Sequence, residues 1–174
     1  VKHTCADGKS LWYQLDGQLS MTPFPKKKHG FMYMMPARSG KTVLQASLIR
    51  HSIDFKKRKR EKEQTLVVCA NSVDHWIKIA IQILDKKHVC KWRSCMTEFK
   101  SEVTVVTARQ LSIHLQKFVN HDWKRIIVDD ANLINSARVR VKLKTFRFHT
   151  MFIFASQMFK DTGESVSYTH LRAH

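Results

Sequence analysis

The sequence predicts an α/β domain built on a mainly parallel sheet with helices on both faces. Its apolar runs are short and rich in β-branched and aromatic residues, and helix-length stretches separate them along the chain. Strands of a parallel sheet that is covered on both faces read as continuous apolar runs, because neither face meets water. A chain of 174 residues has room for one such domain with its own core.

Five strands and four helices are predicted in alternation. The predicted strands are the apolar runs Gly30–Met35, Thr65–Ala70, Val103–Thr107, Arg125–Asp129 and Thr150–Ala155. The predicted helices repeat apolar residues at three-and-four spacing, and they are Lys41–His51, Ser72–Leu84, Ala108–Asn120 and Leu133–Phe146. A sheet of this kind collects its functional loops at the carboxyl ends of its strands.

The domain is expected to run from residue 11 to residue 157. Residues 1–10 are interpreted as the edge of a fragment, since the chain opens on Val1 rather than on methionine. Residues 158–174 are interpreted as a tail. The closing run 166–174 (VSYTHLRAH) resembles translated sequencing-adapter read-through, so we expect it to be an artefact.

The balance of charged residues indicates a polyanionic partner. The chain has 31 lysines and arginines against 14 aspartates and glutamates, which gives a formal net charge of +17. Such a surface attracts phosphate-rich polymers, so nucleic acid is the first partner to consider and an anionic membrane surface the second; general solubility is the alternative explanation. The charge run 54–63 (DFKKRKREKE) is interpreted as a solvated basic loop, with a nuclear-import signal or a phosphate-contacting loop as alternatives.

An intracellular protein that does not enter a membrane is expected. Its apolar runs are all much shorter than the roughly 20 residues of a membrane helix, and the first residues lack a secretory pattern. The four cysteines have uneven spacing without a C-x-x-C pair, so we expect reduced thiols. Nuclear, cytoplasmic and viral settings all stay open.

The strongest local signal is the run from Met35 to Thr42 (MPARSGKT), which follows a predicted strand and opens a predicted helix. A phosphate-binding loop requires this setting, because backbone N–H groups of the loop and the helix start face the phosphates. Lys41 is expected to reach the β and γ phosphate oxygens of ATP, and the Thr42 hydroxyl to hold Mg²⁺. Gly40 allows close approach of the backbone. The predicted loop residues are Ala37, Arg38, Ser39, Gly40, Lys41 and Thr42.

Two carboxylates close the apolar run that starts at Arg125. They belong to Asp129, the last residue of the predicted strand, and to Asp130, the residue after it. Asp129 is suited to hold Mg²⁺, directly or through water, and Asp130 to orient an attacking water molecule. The alternative is an ordinary helix N-cap, since aspartate commonly begins helices. Paired with the loop, the acids favour catalysis, and Lys41, Asp129 and Asp130 are the predicted catalytic residues.

Small polar residues stand at the ends of two other predicted strands. Asn71, Ser72 and Thr107 are suited to contact nucleic-acid phosphates, which positions a strand without reading its sequence. Helix capping is the alternative for each of them.

In this order, the motifs resemble the first RecA-like motor domain of superfamily 2 helicases, and among these the Snf-type translocases, from Leu11 to Gln157. Leu11–Gly17 (LWYQLDG) resembles the family's opening segment, which implies that Gln14 reads the adenine edge. The other matching segments are Ala37–Thr42 (motif I), Leu66–Trp76 (motif Ia), Val105–Ala108 (motif Ib) and Val128–Asn132 (the D-E-A-H box).

The resemblance implies a RecA-like P-loop NTPase domain that binds ATP and Mg²⁺ and serves a DNA-dependent ATPase or translocase. It implies backbone contacts to DNA, expected to be duplex, and a second RecA-like domain in cis that this sequence lacks. A truncated chain of this kind is expected to be inactive alone. The alternative function is a degenerate, non-hydrolysing module that binds nucleic acid; a different P-loop enzyme, such as a kinase, is the third interpretation.

The chain departs from the family pattern at three places that bear on hydrolysis. Asp130 stands where the family has glutamate, and Asn132 stands where it has histidine. The family's Thr-Gly-Thr-Pro-like motif III is matched only by Phe154–Gln157 (FASQ). The binding half of the site therefore looks better preserved than the catalytic half.

Overall fold

The strands that can be described in the computed structural model lie in one parallel sheet. The structure describes residues 29–36, 38–57, 63–70, 72–134, 139, 142–143 and 145–156. In these residues the strands are β1 (His29–Met34), β2 (Thr65–Cys69), β3 (Val89–Lys91), β4 (Val103–Thr107), β5 (Asp122–Asp129) and β6 (Arg147–Ala155). They lie in the order β1-β6-β5-β2-β4-β3 across the sheet, and each neighbouring pair is parallel.

Helices cover both faces of this sheet. They are α1 (Lys41–Lys57), α2 (Val73–Ala80), α3 (Ala108–Ile113) and α4 (Leu115–Val119), with short 3-10 helices at Lys86–His88 and Ala131–Leu133. Buried residues of α1 and α2 pack in one core cluster, and those of α3 and α4 pack in the other. The predicted fold class is therefore confirmed.

Strand β2 shows why the sequence forms a sheet between two cores. Successive side chains of a strand point to opposite faces. Leu66 and Val68 accordingly enter the core of α3 and α4, whereas Val67 and Cys69 enter the core of α1 and α2. All five residues of this strand are buried, as expected for a central strand that has no face in water.

The parallel arrangement collects the strand ends of interest at one edge of the sheet. Strand β6 lies between β1 and β5. At their carboxyl ends, Ser156 follows β6, the predicted phosphate-binding loop follows β1 on one side, and Asp130 follows β5 on the other. Beyond β5 come the ends of β2 and β4, where Ser72 and Thr107 begin helices α2 and α3. The predicted nucleotide residues and the predicted nucleic-acid residues that fall in the described ranges thus occupy successive stretches of the same edge.

The interpretation of residues 54–63 as a solvated loop is wrong at both of its ends. Helix α1 runs on to Lys57 instead of ending at His51, because lysine and arginine favour helix and Arg50 pairs with Asp54 at 2.8 Å. At the other end, the Glu63 side chain is buried and forms an ion pair with Arg125. Residues 58–62 lie outside the described part of the chain.

Other element bounds differ where a tertiary contact or a short element overrides the local pattern. The predicted helix Ala108–Asn120 breaks at His114, whose ring lies 4.9 Å from that of Trp92. The predicted helix Ser72–Leu84 ends at Ala80 and continues as turns. Strand β3 was not predicted, because three residues at a sheet edge are too few to show a periodicity.

The segment after β5 begins differently from the prediction. The predicted helix Leu133–Phe146 is preceded by the 3-10 helix Ala131–Leu133, which takes up its first residue. Residues 139 and 142–143 are helical, and much of the rest of the segment lies outside the described residues. In the part of the chain that can be described, no helix is both long enough and apolar enough to cross a membrane.

Candidate functional site

The loop between β1 and α1 is held at its start and bent near its end. The backbone N–H of Met35 donates to the carbonyl of Ala155 at 2.9 Å, which ties the loop to the end of β6. Arg38 and Gly40 have left-handed backbones, with φ of 61° and 84°. Glycine adopts this conformation without strain, whereas arginine does so at some cost.

Gly40 leaves open space beside the loop. A Cβ built at this position would meet no described atom within 4 Å, so the positive φ, rather than a neighbouring atom of the protein, is the reason for glycine here. The backbone face at the start of α1 is therefore accessible to a ligand, and a helix start is a favourable place for an anion.

Lys41 is the first residue of α1, and its ammonium group turns back over the loop. Its Nζ donates to the carbonyls of Pro36 at 3.3 Å and Met35 at 3.5 Å. The same Nζ lies 3.6 Å from Oδ1 of Asp130, and the lysine side chain is only 10% exposed. The ammonium group is thus largely buried, and its partners are two neutral carbonyls and a carboxylate at 3.6 Å. A phosphate oxygen could replace these partners and would form a stronger, charge-assisted hydrogen bond than the carbonyls do.

Asp129, the last residue of β5, has a neutral partner. Its Oδ1 accepts a hydrogen bond of 2.9 Å from Nε2 of Gln45 in α1. Burial raises the pKa of the Asp129 carboxyl, and the hydrogen bond from Gln45 opposes this shift. The charge of Asp130 adds to the rise, and that of Lys41 opposes it. A largely buried carboxylate beside an amide would gain from a bound cation.

Asp130 sits in a different environment one residue later. Its backbone is left-handed, with φ of 46° and ψ of 51°, and turns the chain from β5 into the 3-10 helix. Aspartate tolerates this conformation better than most residues do. Its side chain is 32% exposed and faces Lys41. The two adjacent carboxylates are thus a buried, amide-bound group and a partly exposed, ion-paired group.

Asn132 connects the turn after β5 to the end of β6. Its Oδ1 accepts hydrogen bonds from the backbone N–H of Ser156 at 3.1 Å and from the Ser156 hydroxyl at 3.4 Å. Asn132 stands where the D-E-A-H box has histidine. Its partner Ser156 belongs to the segment Phe154–Gln157, which occupies the place of motif III. Two of the three departures from the family pattern therefore contact each other.

Gln45 is the site residue that sequence reasoning missed. Its Oε1 accepts a hydrogen bond of 2.8 Å from Nε1 of Trp76 in α2, while its Nε2 faces Asp129. The available signal was a glutamine inside the apolar stretch of α1, four residues after Lys41 and therefore on the same helix face.

The remaining predicted site residues divide into three groups. Ser72 and Thr107 both cap helices, since their hydroxyls accept from the backbone N–H of His75 and Gln110. Thr42 is half-buried in the first turn of α1, and Arg38 and Ser39 are exposed. Gln14, Ala37 and Asn71 lie outside the described residues.

These groups fit a phosphate and a hard cation. Open space at Gly40 and the ammonium group of Lys41 suit an anion, and the oxygens of Asp129 and Asp130 are the ligands that magnesium prefers. Within the described residues, no cluster of three histidine, cysteine or acidic side chains forms a ready cage. A magnesium site of few carboxylates that is completed by phosphate oxygens agrees with this arrangement.

Comparison by sequence finds no matching protein-family model and no matching curated protein. Comparison by structure finds the Sulfolobus solfataricus SWI2/SNF2 ATPase core in complex with dsDNA, with a TM-score of 0.67 and 14% identity, over 90% of this chain and 32% of that chain. The SWI2/SNF2 ATPase core domain of the same organism matches with a TM-score of 0.59 and 17% identity, over 73% of this chain and 27% of that chain. The chain thus spans about a third of these structures. At these identities the likeness establishes the fold alone, and the RecA-like α/β fold expected from the sequence is confirmed.

Proposed function

We propose that this chain is the ATP-binding first motor domain of a Snf-type, helicase-like, DNA-dependent ATPase of superfamily 2. One observation carries the proposal: Lys41, which directly follows the loop after β1, lies 3.6 Å from Asp130, which follows β5, at one edge of a RecA-like sheet. Similarity to two SWI2/SNF2 ATPase core structures supports it.

The proposed roles follow from the position of each group. Lys41 binds the β and γ phosphate oxygens, and the loop from Ala37 to Gly40 surrounds the phosphates with backbone N–H groups. Thr42 and Asp129 hold magnesium, which neutralises phosphate charge when bound. Asp130 orients the attacking water. Gln14 reads the adenine edge in the same proposal.

DNA is the proposed partner of the neighbouring stretch of this edge. One of the matching structures was solved with dsDNA, and this chain carries a net charge of +17. Ser72, Thr107 and Asn71 would contact the backbone phosphates. In the sequence they stand at the ends of β2, which neighbours the acid-bearing β5, and of β4, which neighbours β2. A second RecA-like domain in cis would complete the motor, and we propose that this chain alone hydrolyses very little ATP.

The geometry of Asp130 favours a second candidate function, a module that binds nucleotide and nucleic acid without hydrolysis. Aspartate is one methylene shorter than the family's glutamate, and a misplacement of about 1 Å can cost on the order of a hundredfold in rate. Its carboxylate is also engaged with Lys41 in the described structure.

Nucleotide binding tests the main proposal directly. A fluorescent ATP analogue is titrated into the wild-type chain with magnesium and with EDTA, and then into Lys41→Ala and the control Lys86→Ala. Lys86 is an exposed lysine in the 3-10 helix before β3. We expect Lys41→Ala to weaken binding about tenfold or more, because it removes a charge-assisted hydrogen bond, and Lys86→Ala to leave it unchanged. A wild-type chain that does not bind the analogue with magnesium would overturn the proposal.

Hydrolysis separates the two candidate functions. Phosphate release with magnesium and duplex DNA is measured for a protein that carries both RecA-like domains, once with the wild-type sequence and once with Asp130→Glu. If only the reach of the carboxylate is missing, the longer side chain raises the rate by about tenfold or more. A wild-type rate that is readily measurable and equal to that of Asp130→Glu would contradict the second candidate.

A further inference from the structure

A buried chain of two hydrogen bonds ends on the proposed magnesium carboxylate. Trp76 Nε1 donates to Gln45 Oε1 at 2.8 Å, and Gln45 Nε2 donates to Asp129 Oδ1 at 2.9 Å. Gln45 is 0% exposed and Trp76 is 1% exposed. We infer that Gln45 is a positioning residue that fixes the Asp129 carboxylate for magnesium, and that Trp76 fixes which end of the amide faces that carboxylate. The inference rests on the proposed nucleotide function.

The chemistry of the two end groups leaves the amide one orientation. An indole N–H can only donate, so it must meet the oxygen end of the Gln45 amide. The NH₂ end then faces Asp129, and an ionised carboxylate can only accept. Every hydrogen bond in this chain has a matched donor and acceptor, which holds the carboxylate in one rotational position.

The location of Gln45 argues against a merely structural role. It lies among buried apolar residues of α1, including Leu44, Ala46 and Leu48. An amide in such a place costs free energy unless it is hydrogen-bonded, and an apolar side chain of similar size would pack there without that cost. Its partners are a carboxylate at a strand end and an indole, not a backbone group that needs capping.

Helix α1 presents Gln45 and Lys41 to the two acids together. The residues are four positions apart, so they lie on the same helix face. Lys41 contacts Asp130, and Gln45 contacts Asp129, the residue before it. One turn of one helix therefore orients both consecutive carboxylates relative to the phosphate-binding loop. Partners that orient a metal ligand in this way commonly change metal affinity about 10- to 100-fold when they are removed.

The test compares nucleotide affinity with and without magnesium in matched variants. Gln45→Met keeps the length and apolar packing of the side chain but removes both hydrogen bonds. Trp76→Phe keeps an aromatic ring and removes the indole N–H together with part of the ring volume, and Trp123→Phe removes the same atoms elsewhere. The controls are Ser47→Ala, another buried polar residue of α1, and Trp123→Phe. Trp123 is an equally buried tryptophan whose Nε1 donates to the Phe118 carbonyl in the opposite core.

We expect Gln45→Met to weaken binding of the ATP analogue with magnesium about tenfold and to leave binding in EDTA unchanged. Trp76→Phe should weaken binding with magnesium about threefold, because the Gln45 amide can still donate to Asp129 but is no longer held in one orientation by the indole. Both controls should bind as wild type does. Thermal melting of every variant separates a change in positioning from a loss of the fold.

Three results would overturn the inference. Gln45→Met could bind with magnesium as tightly as wild type, or it could lose affinity equally with magnesium and with EDTA. If Gln45→Met does not fold, Trp76→Phe decides, and an affinity with magnesium equal to that of Trp123→Phe rejects the inference. A wild-type chain that fails to bind the analogue with magnesium rejects the proposed function as well, so the two failures are distinguishable.

Discussion

Strand β5 buries charge in its amino-terminal half, at Arg125 (called the amino end below), and at its carboxyl end, but the charge is balanced in different ways. At the amino end, the guanidinium group of Arg125 donates to Glu63 at 2.6 Å and to the Thr65 hydroxyl at 3.2 Å, and Ser52 donates to the same Glu63 oxygen at 2.8 Å. At the carboxyl end, Asp129 meets the neutral amide of Gln45, and Lys41 lies 3.6 Å from Asp130.

The difference separates charge that serves the fold from charge that is available to a ligand. Around Arg125, cation and anion meet directly, with good geometry and additional hydrogen bonds, which is how a buried ion pair becomes tolerable. At the carboxyl end, Asp129 accepts from a neutral amide, and Lys41 lies 3.6 Å from its carboxylate partner. Each of these two charged groups would be stabilised further by a closer ion of opposite charge. An anion and a cation together, such as a phosphate with magnesium, would supply both.

Breaking the amino-end pair should have the largest effect on stability. Arg125→Ala leaves the buried Glu63 without its main cation, so we expect the free energy of unfolding to fall by about 3–5 kcal/mol. Urea denaturation measures this change. The control is Arg147→Ala, which removes an exposed pair with Asp122 at 3.5 Å and should cost at most about 1 kcal/mol. A similar, small loss in both variants would remove the distinction between the two ends of β5.

Removing the charge of Asp129 at the carboxyl end should reduce nucleotide binding without reducing stability. Asp129→Asn keeps the shape and an oxygen that accepts from Gln45, but it removes the negative charge. We expect the affinity for a magnesium-bound ATP analogue to fall about a hundredfold, since a metal ligand should matter at least as much as the partner that orients it. The free energy of unfolding should stay equal or rise by up to about 1 kcal/mol, because a neutral amide is easier to bury.

Titration calorimetry and urea denaturation give the two measurements for the Asp129 variant. Asp122→Asn is the control, because that aspartate lies at the other end of β5 and is exposed. If Asp129→Asn lost several kcal/mol of stability, the carboxyl end would be structural in the same sense as the amino end.

The contrast also shows what the sequence could predict. The parallel sheet and the placement of Lys41 and the two acids at one edge follow from local signals: apolar runs, a Gly-Lys-Thr segment and acids after a strand. The side-chain hydrogen bonds and ion pairs of the two ends do not follow from such local signals. Trp76 is 31 residues from Gln45, Gln45 is 84 from Asp129, and Glu63 is 62 from Arg125. A periodicity gives each residue's face but not its partner across the core.

The smallest predicted effect concerns His121, which belongs to the amino end of the sheet. Its Nε2 lies 2.6 Å from Oε1 of Gln64, and its ring packs edge-on against Trp123. The Gln64 amide donates to the carbonyls of Phe99 and Ser101, so its oxygen faces His121, and Nε2 carries the proton. Charging the ring therefore means adding a proton at Nδ1.

Burial lowers the pKa of His121 below its ordinary value of 6.5, and the nearby charge of Asp122 opposes the shift. The unfolded chain then binds the proton more readily than the folded chain does, so stability is lost as the pH falls from about 6.5 through the folded-state pKa. Replacing His121 by glutamine should flatten this dependence by about 0.5 kcal/mol or less, because solvent screens a half-buried ring. Urea denaturation of both proteins at pH values on either side of this range measures it. The chain has ten histidines, so only the difference between wild type and His121→Gln bears on His121. A larger acid loss in the variant would show that the amino end gains from a charged ring.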